Sequence, residues 1–166
     1  PDISVGEWWR ITIYNRPPPS APVYAAARET AKPTQASDTM NPVEIEEALS
    51  HLALQPFDAA EFPFAFLAAF GNKDTALKRL RTGHNNTSDI PNGVLQRSNI
   101  HLAVCAAETV GDTLRALRAS PATAKAKAKF ALATDGQTLE AEDLNSGEIL
   151  ACAYPDFADH FGFFLP

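Results

Sequence analysis

The 166-residue chain contains no run of about 18 apolar residues, so no membrane-spanning helix is encoded. Cysteine is scarce: Cys105 and Cys152 stand alone, without CxxC or CxxxC spacing. That excludes a zinc ribbon and a disulfide framework, and predicts a reducing, cytoplasmic setting. The opening Pro-Asp-Ile-Ser-Val has neither a basic nor an apolar stretch, which predicts no secretory signal. GxGxxG, GxxxxGK[ST] and GxSxG do not occur, so phosphate-cradling loops and a nucleophile elbow are unsupported. His51, His84, His101 and His160 are scattered without H-x3-H or HExxH spacing, so no metal site is expected.

Positive charge is missing from long stretches. Residues 40–72 hold five acids and no Lys or Arg, and residues 130–166 hold seven acids and no base. Residues 73–129 carry ten of the fourteen Lys and Arg against four acids, a net +6. The overall charge of −6 is therefore an average over a cationic middle between anionic flanks.

Before Met40, the only Met, lies a stretch with six prolines and little helical periodicity. Such a segment buries too little apolar surface to offset its ordering entropy, so residues 1–39 are expected to be a Pro-rich leader or linker outside the folded domain. Within it, Trp8 to Tyr14 has the composition of one short strand. The domain is expected over residues 40–166.

From Met40 the punctuation is regular. Asn41-Pro42 followed by Glu44 predicts a capped helix reaching Leu54. Asp58 is expected to cap a Phe-rich helix ending at Gly71, with its Phe stripe as core, and Asn72 to cap a third helix over Lys73 to Thr82. His84 to Gly93 reads as a polar loop, although Asn85 to Ser88 contains two overlapping glycosylation sequons. Val94–Arg97 and Ile100–Cys105 read as strands of a hairpin around Ser98-Asn99. A helix through Val110, Leu114 and Leu117 follows, and Ser120-Pro121 opens another. Phe130–Thr134, Leu139–Leu144 and Ile149–Tyr154 read as three strands joined by Asp135-Gly136 and Asn145-Ser146-Gly147. The expected class is α/β, with α+β as the alternative: N-terminal helices, then a small mixed sheet flanked by helices. The closing aromatics Phe157, Phe161, Phe163 and Phe164 are expected to be unburied, as in a domain cut short at its C-terminus.

Candidate chemistry is concentrated in the cationic middle. Lys73, Lys78, Arg79 and Arg81 near one helix, Arg97 on a strand, and Lys125, Lys127 and Lys129 together predict a phosphate-binding face, with DNA as the expected partner. If residues 124–129 form a strand, the three lysines share a face. If they form a helix, Lys125 and Lys129 share a side and Lys127 points elsewhere. The competing reading is a set of solvated faces paired with the acidic flanks. Asp135, Glu140, Glu142 and Asp143 suggest an edge for Mg²⁺, yet a nuclease of that type needs E-x-K, and neither E-x-K nor D-x-K occurs. His101, in an apolar run, is expected to be a hydrogen-bonded core or edge residue rather than a base.

Longer strings carry a resemblance. Phe66-Leu67-Ala68-Ala69-Phe70-Gly71-Asn72-Lys73-Asp74-Thr75, Lys78-Arg79-Leu80-Arg81, Gly93-Val94-Leu95-Gln96-Arg97, Leu117 to Ala124, Ala133-Thr134-Asp135-Gly136 and His160 to Pro166 resemble the start of large bacterial S-adenosylmethionine-dependent DNA methyltransferases of the MmeI-like restriction–modification kind. The resemblance covers about residues 40–166. It implies a nuclease-like α/β N-terminal module of a DNA (adenine) methyltransferase, with the remaining domains of the parent chain as partners. The Gly-rich cofactor loop and the Asn-Pro-Pro-aromatic motif are absent, so S-adenosylmethionine is expected in the parent protein and no cofactor in this stretch. The strand that would carry E-x-K corresponds to His101-Leu102-Ala103-Val104, so the implied module is noncatalytic. A protein-interaction scaffold, docking through the Phe-rich helix and aromatic tail, is the alternative.

Overall fold

The computed structural model describes residues 40–165. The short strand expected over Trp8–Tyr14 and the leader over 1–39 lie outside the described residues. Among the described residues five helices, five strands and a final 3₁₀ stretch build an open mixed sheet with helices on both faces, the α/β arrangement expected.

Helix α1 (Pro42–Leu54) begins where local chemistry sets it. The Asn41 side chain accepts from the Glu44 N–H at 3.0 Å while the Glu44 carboxylate accepts from the Asn41 N–H at 2.9 Å, a reciprocal capping box. Helix α2 (Phe62–Ala69) starts later than expected. Asp58 does act as a cap, accepting from Ala60 N–H at 2.9 Å, but it closes only a turn ahead of the helix. Helix α3 (Asp74–Arg81) follows, with Lys73 rather than Asn72 at its N-cap. Asn72 instead donates to the Leu67 carbonyl at 2.7 Å and accepts from Gln96 Nε2 at 2.6 Å, tying the end of α2 to the sheet.

Strands β1 (Gly93–Leu95) and β2 (Ile100–Val104) form the expected antiparallel hairpin. Helices α4 (Val110–Ala119) and α5 (Pro121–Ala126) then cross over, and β3 (Phe130–Thr134) returns parallel to β2. Strands β4 (Thr138–Asp143) and β5 (Ile149–Ala153) add antiparallel neighbours, giving the order β1-β2-β3-β4-β5. The central pair β2 and β3 is buried at every position, as a sheet covered on both faces requires.

Two-residue alternation divides the core. Ile100, Leu102, Phe130, Leu132, Leu139 and Ala141 meet α1, α2 and α3 on one face. Ala103, Ala131 and Ala133 on the other face meet Val110, Leu114 and Leu117 of α4. Small residues there let α4 sit close to the strands.

The C-terminal aromatics correct the expectation of unburied side chains. A 3₁₀ segment (Tyr154–Phe164), bent at His160, lies along α1, and Phe157 and Phe164 are buried. Phe66 sits edge-on to Phe164 at 5.3 Å and tilted against Phe157 at 6.2 Å. The Phe stripe of α2 is core, as expected, and the aromatic tail is its partner across the same layer.

Candidate nucleic-acid interface

The loop from 82 to 92 is held in a definite shape by its own polar side chains. Asn86 donates from Nδ2 to the Gly93 carbonyl and accepts the Leu95 N–H at Oδ1, both at 3.0 Å. Its side-chain amide thus stands in for the strand that β1, at the sheet edge, does not have. The sequon-bearing loop is therefore an edge cover, a role that composition did not reveal. Ser88 continues the anchoring: its hydroxyl lies 2.7 Å from Nε2 of His101, which is wholly buried on β2.

His101 is hydrogen-bonded in the core, as expected. Its Nδ1 lies 2.6 Å from Thr123 Oγ1, and the Thr123 hydroxyl donates to the Leu117 carbonyl at 2.6 Å. With that proton engaged, Thr123 Oγ1 accepts from Nδ1–H, and the Ser88 hydroxyl proton is left to Nε2 at 2.7 Å in competition with the Ile90 carbonyl at 3.3 Å. The chain of bonds staples loop, sheet and α5 together. Burial pushes the imidazole below its ordinary 6.5, with the Asp89 charge opposing.

Ser120, at the N-cap of α5, accepts from the Ala122 and Thr123 N–H groups and donates to Asp89 Oδ1 at 2.5 Å. The Ser120 hydroxyl holds the Asp89 carboxyl below its usual range. At the other end of α5, the Ser98 N–H donates to the Ala126 carbonyl at 2.9 Å, placing the β1–β2 turn and Arg97 beside the last turn that carries Lys125.

These anchors enclose a cleft of about 810 Å³. Ala76 and Leu80 of α3 form one wall, Pro121, Ala122 and Ala126 of α5 another, and Arg97, Lys125, His84, Asn85, Thr87, Gln96 and Asp89 supply its polar groups. Two of the eight predicted phosphate-binding residues, Arg97 and Lys125, line it together, 28 positions apart in the chain. Neither forms an ion pair among the described residues.

The other six do not converge on it. Arg81 is bound in a fork to Glu61, with 2.9 Å to Oε2, and its guanidinium lies 4.5 Å from the Phe64 ring centroid. Helical spacing from Ala76 and Leu80 sets Lys78 on the same far side as Arg81, and Arg79 on the flank nearer the cleft. Lys73 is the N-cap residue of α3. The 125–129 run is neither a strand nor a continuous helix. Lys127 adopts a left-handed φ of 53° that ends α5 and lines a separate groove with Arg118 and Glu142, while Lys129 donates its N–H to the Asn99 carbonyl at 2.7 Å. A left-handed C-cap turns the chain through an angle that neither periodicity allows for.

The carboxylates are likewise dispersed. Asp135 organises its own turn, accepting from Thr138 and Gln137 N–H groups at 2.8 and 2.9 Å. Glu142, on the α4 face, pairs with Arg118 at 3.4 Å. Asp143 accepts from Asn145 N–H at 2.8 Å in the next turn. Among the described residues no three His, Cys, Asp or Glu side chains are grouped as a metal would need, and no helix is long and apolar enough to cross a membrane.

Fold and cleft define an α/β module with Arg97 and Lys125 brought to one cleft. Residues 40–166 match the family described as MmeI, N-terminal domain, and the chain belongs to that family, a module of restriction–modification proteins. Comparison with curated proteins and with solved structures returned no match.

Proposed function

We propose that this chain is a noncatalytic N-terminal module of a cytoplasmic DNA methyltransferase of the restriction–modification kind, and that it contacts the DNA backbone through the cleft between α3 and α5. The observation that carries this reading is the meeting of Arg97 and Lys125, without ion-pair partners among the described residues, in one cleft. Unpaired guanidinium and ammonium groups in a recess attract phosphate and release counterions from the duplex. The family supports it, since a module of a restriction–modification protein belongs to a protein that acts on DNA. S-adenosylmethionine would be held by other domains of the parent.

The test is a salt titration of duplex binding by the 166-residue chain. Binding weakens steeply with salt, and the combined Arg97→Ala and Lys125→Ala variant lowers the log–log slope by about two, roughly one per phosphate contact. Lys78→Ala and Arg81→Ala leave the slope nearly as it was. Absence of duplex binding at low salt, or equal loss from all four substitutions, would overturn the assignment.

A further inference from the structure

The cleft has two ends of opposite sign, and α5 measures the distance between them. Asp89 is held at the N-terminal end by Ser120 at 2.5 Å. Arg97 and Lys125 stand at the C-terminal end, where the Ser98 N–H reaches the Ala126 carbonyl. From Ser120 to Ala126 the helix rises about 9 Å. Between the ends the walls are aliphatic: Leu80, Pro121 and Ala122.

A phosphate held by Arg97 and Lys125 leaves the Asp89 end of the cleft unused, since a carboxylate attracts no second anion. A ligand with one anionic end, a flat apolar middle and a hydrogen-bond donor at the far end matches this arrangement. The volume of about 810 Å³ lies within the range of about 300–1,000 Å³ typical of small-molecule sites.

We infer that the cleft binds a single nucleoside monophosphate unit whose base carries an exocyclic amine, as adenine, cytosine and guanine do and thymine does not, either free or as an unpaired residue of a DNA strand. The phosphate lies between Arg97 and Lys125, the base rests on the aliphatic walls, and its amine donates to Asp89. This deepens the proposed function and uses the same cleft, but it rests on the polarity of the cleft rather than on its net charge.

Calorimetric titration of the 166-residue chain with dAMP, dCMP, dTMP, deoxyadenosine and inorganic phosphate tests it, alongside a blunt duplex and the same duplex with a one-nucleotide unpaired dA. dAMP and dCMP bind, dTMP binds about tenfold more weakly for lack of the amine donor, and deoxyadenosine binds at least about tenfold more weakly than dAMP for lack of the charged contact. Asp89→Asn erases the difference between dCMP and dTMP. If that variant unfolds, the comparison of nucleotides on the unaltered chain decides. The unpaired dA raises duplex affinity if the strand is the source and leaves it unchanged if the free nucleotide is. Inorganic phosphate binding as tightly as dAMP, equal binding of dCMP and dTMP, or no nucleotide binding would overturn the inference. Nucleotide binding without blunt-duplex binding overturns the backbone reading alone, and duplex binding without nucleotide binding overturns this one alone.

Discussion

His101 Nδ1 lies 2.6 Å from Thr123 Oγ1, joining the second strand to the crossover helix across 22 residues of chain. The Thr123 proton belongs to the Leu117 carbonyl, so the bond needs His101 as the Nδ1–H tautomer. A second proton has to enter at Nε2, in a site with no exposure to water.

Stability is therefore expected to depend on pH with a definite sign. The folded imidazole titrates below the unfolded value of 6.5, so the unfolded chain binds more protons between the two. The stability conferred by neutral His101 is complete above about 6.5 and falls as pH drops from there toward the folded pKa. Urea midpoints measured from pH 8 down to pH 5 check this, with the His101 ring followed by NMR. A flat profile, or an imidazole titrating above 6.5 in the native state, contradicts it.

Gly93 is where the anchoring loop comes closest to the sheet. A Cβ there would stand 2.3 Å from Ser88 Oγ and 2.8 Å from the Ile90 carbonyl oxygen. Gly93→Ala is expected to destabilise by about 1–3 kcal/mol, as overpacking does. Adding Ser88→Ala removes the nearer clash but not the backbone one, so the double variant recovers part of the loss. Full recovery would show that the Ile90 carbonyl is free to move; chemical denaturation of the three variants reads this out.

Asn72 holds the end of α2 and the β1–β2 turn with one amide, through Leu67 and Gln96. Asn72→Ala breaks both bonds in a half-buried place and is expected to cost about 1–3 kcal/mol. Asn72→Asp keeps the acceptor for Gln96 but loses the donor to Leu67, so its loss is the diagnostic one. A neutral Asn72→Ala variant in urea unfolding would mean that water replaces both bonds.

Glu142 has a side chain only 7% exposed and is paired with the more open Arg118. Arg118→Ala leaves that carboxylate without its counter-charge, and a loss of about 1–2 kcal/mol is expected, less than for a fully buried pair. Glu142→Gln in the same background returns part of it by removing the charge. If the double variant is no more stable than Arg118→Ala alone, the pair contributes packing rather than charge.

What could be read from the residues was local. The Asn41 capping box, the Ser120-Pro121 cap and the β1–β2 hairpin are each settled within a few neighbouring positions, and each formed as expected. Asn72 misled because a cap residue and a long-range amide bracket share one chemistry, and only the arrival of Gln96 chose between them. The aromatic tail misled because burial depends on a partner surface, here α1 and α2, more than eighty residues earlier in the chain. The same limit applied to charge. The sequence by itself determined that ten of the fourteen Lys and Arg of this protein lie in residues 73–129. Only the tertiary structure decided that Arg97 and Lys125 share a cleft while Arg81 pairs with Glu61 and Lys127 faces another groove, because the chain's return from β2 through α5 to β3 sets those distances, and no spacing along the sequence encodes it.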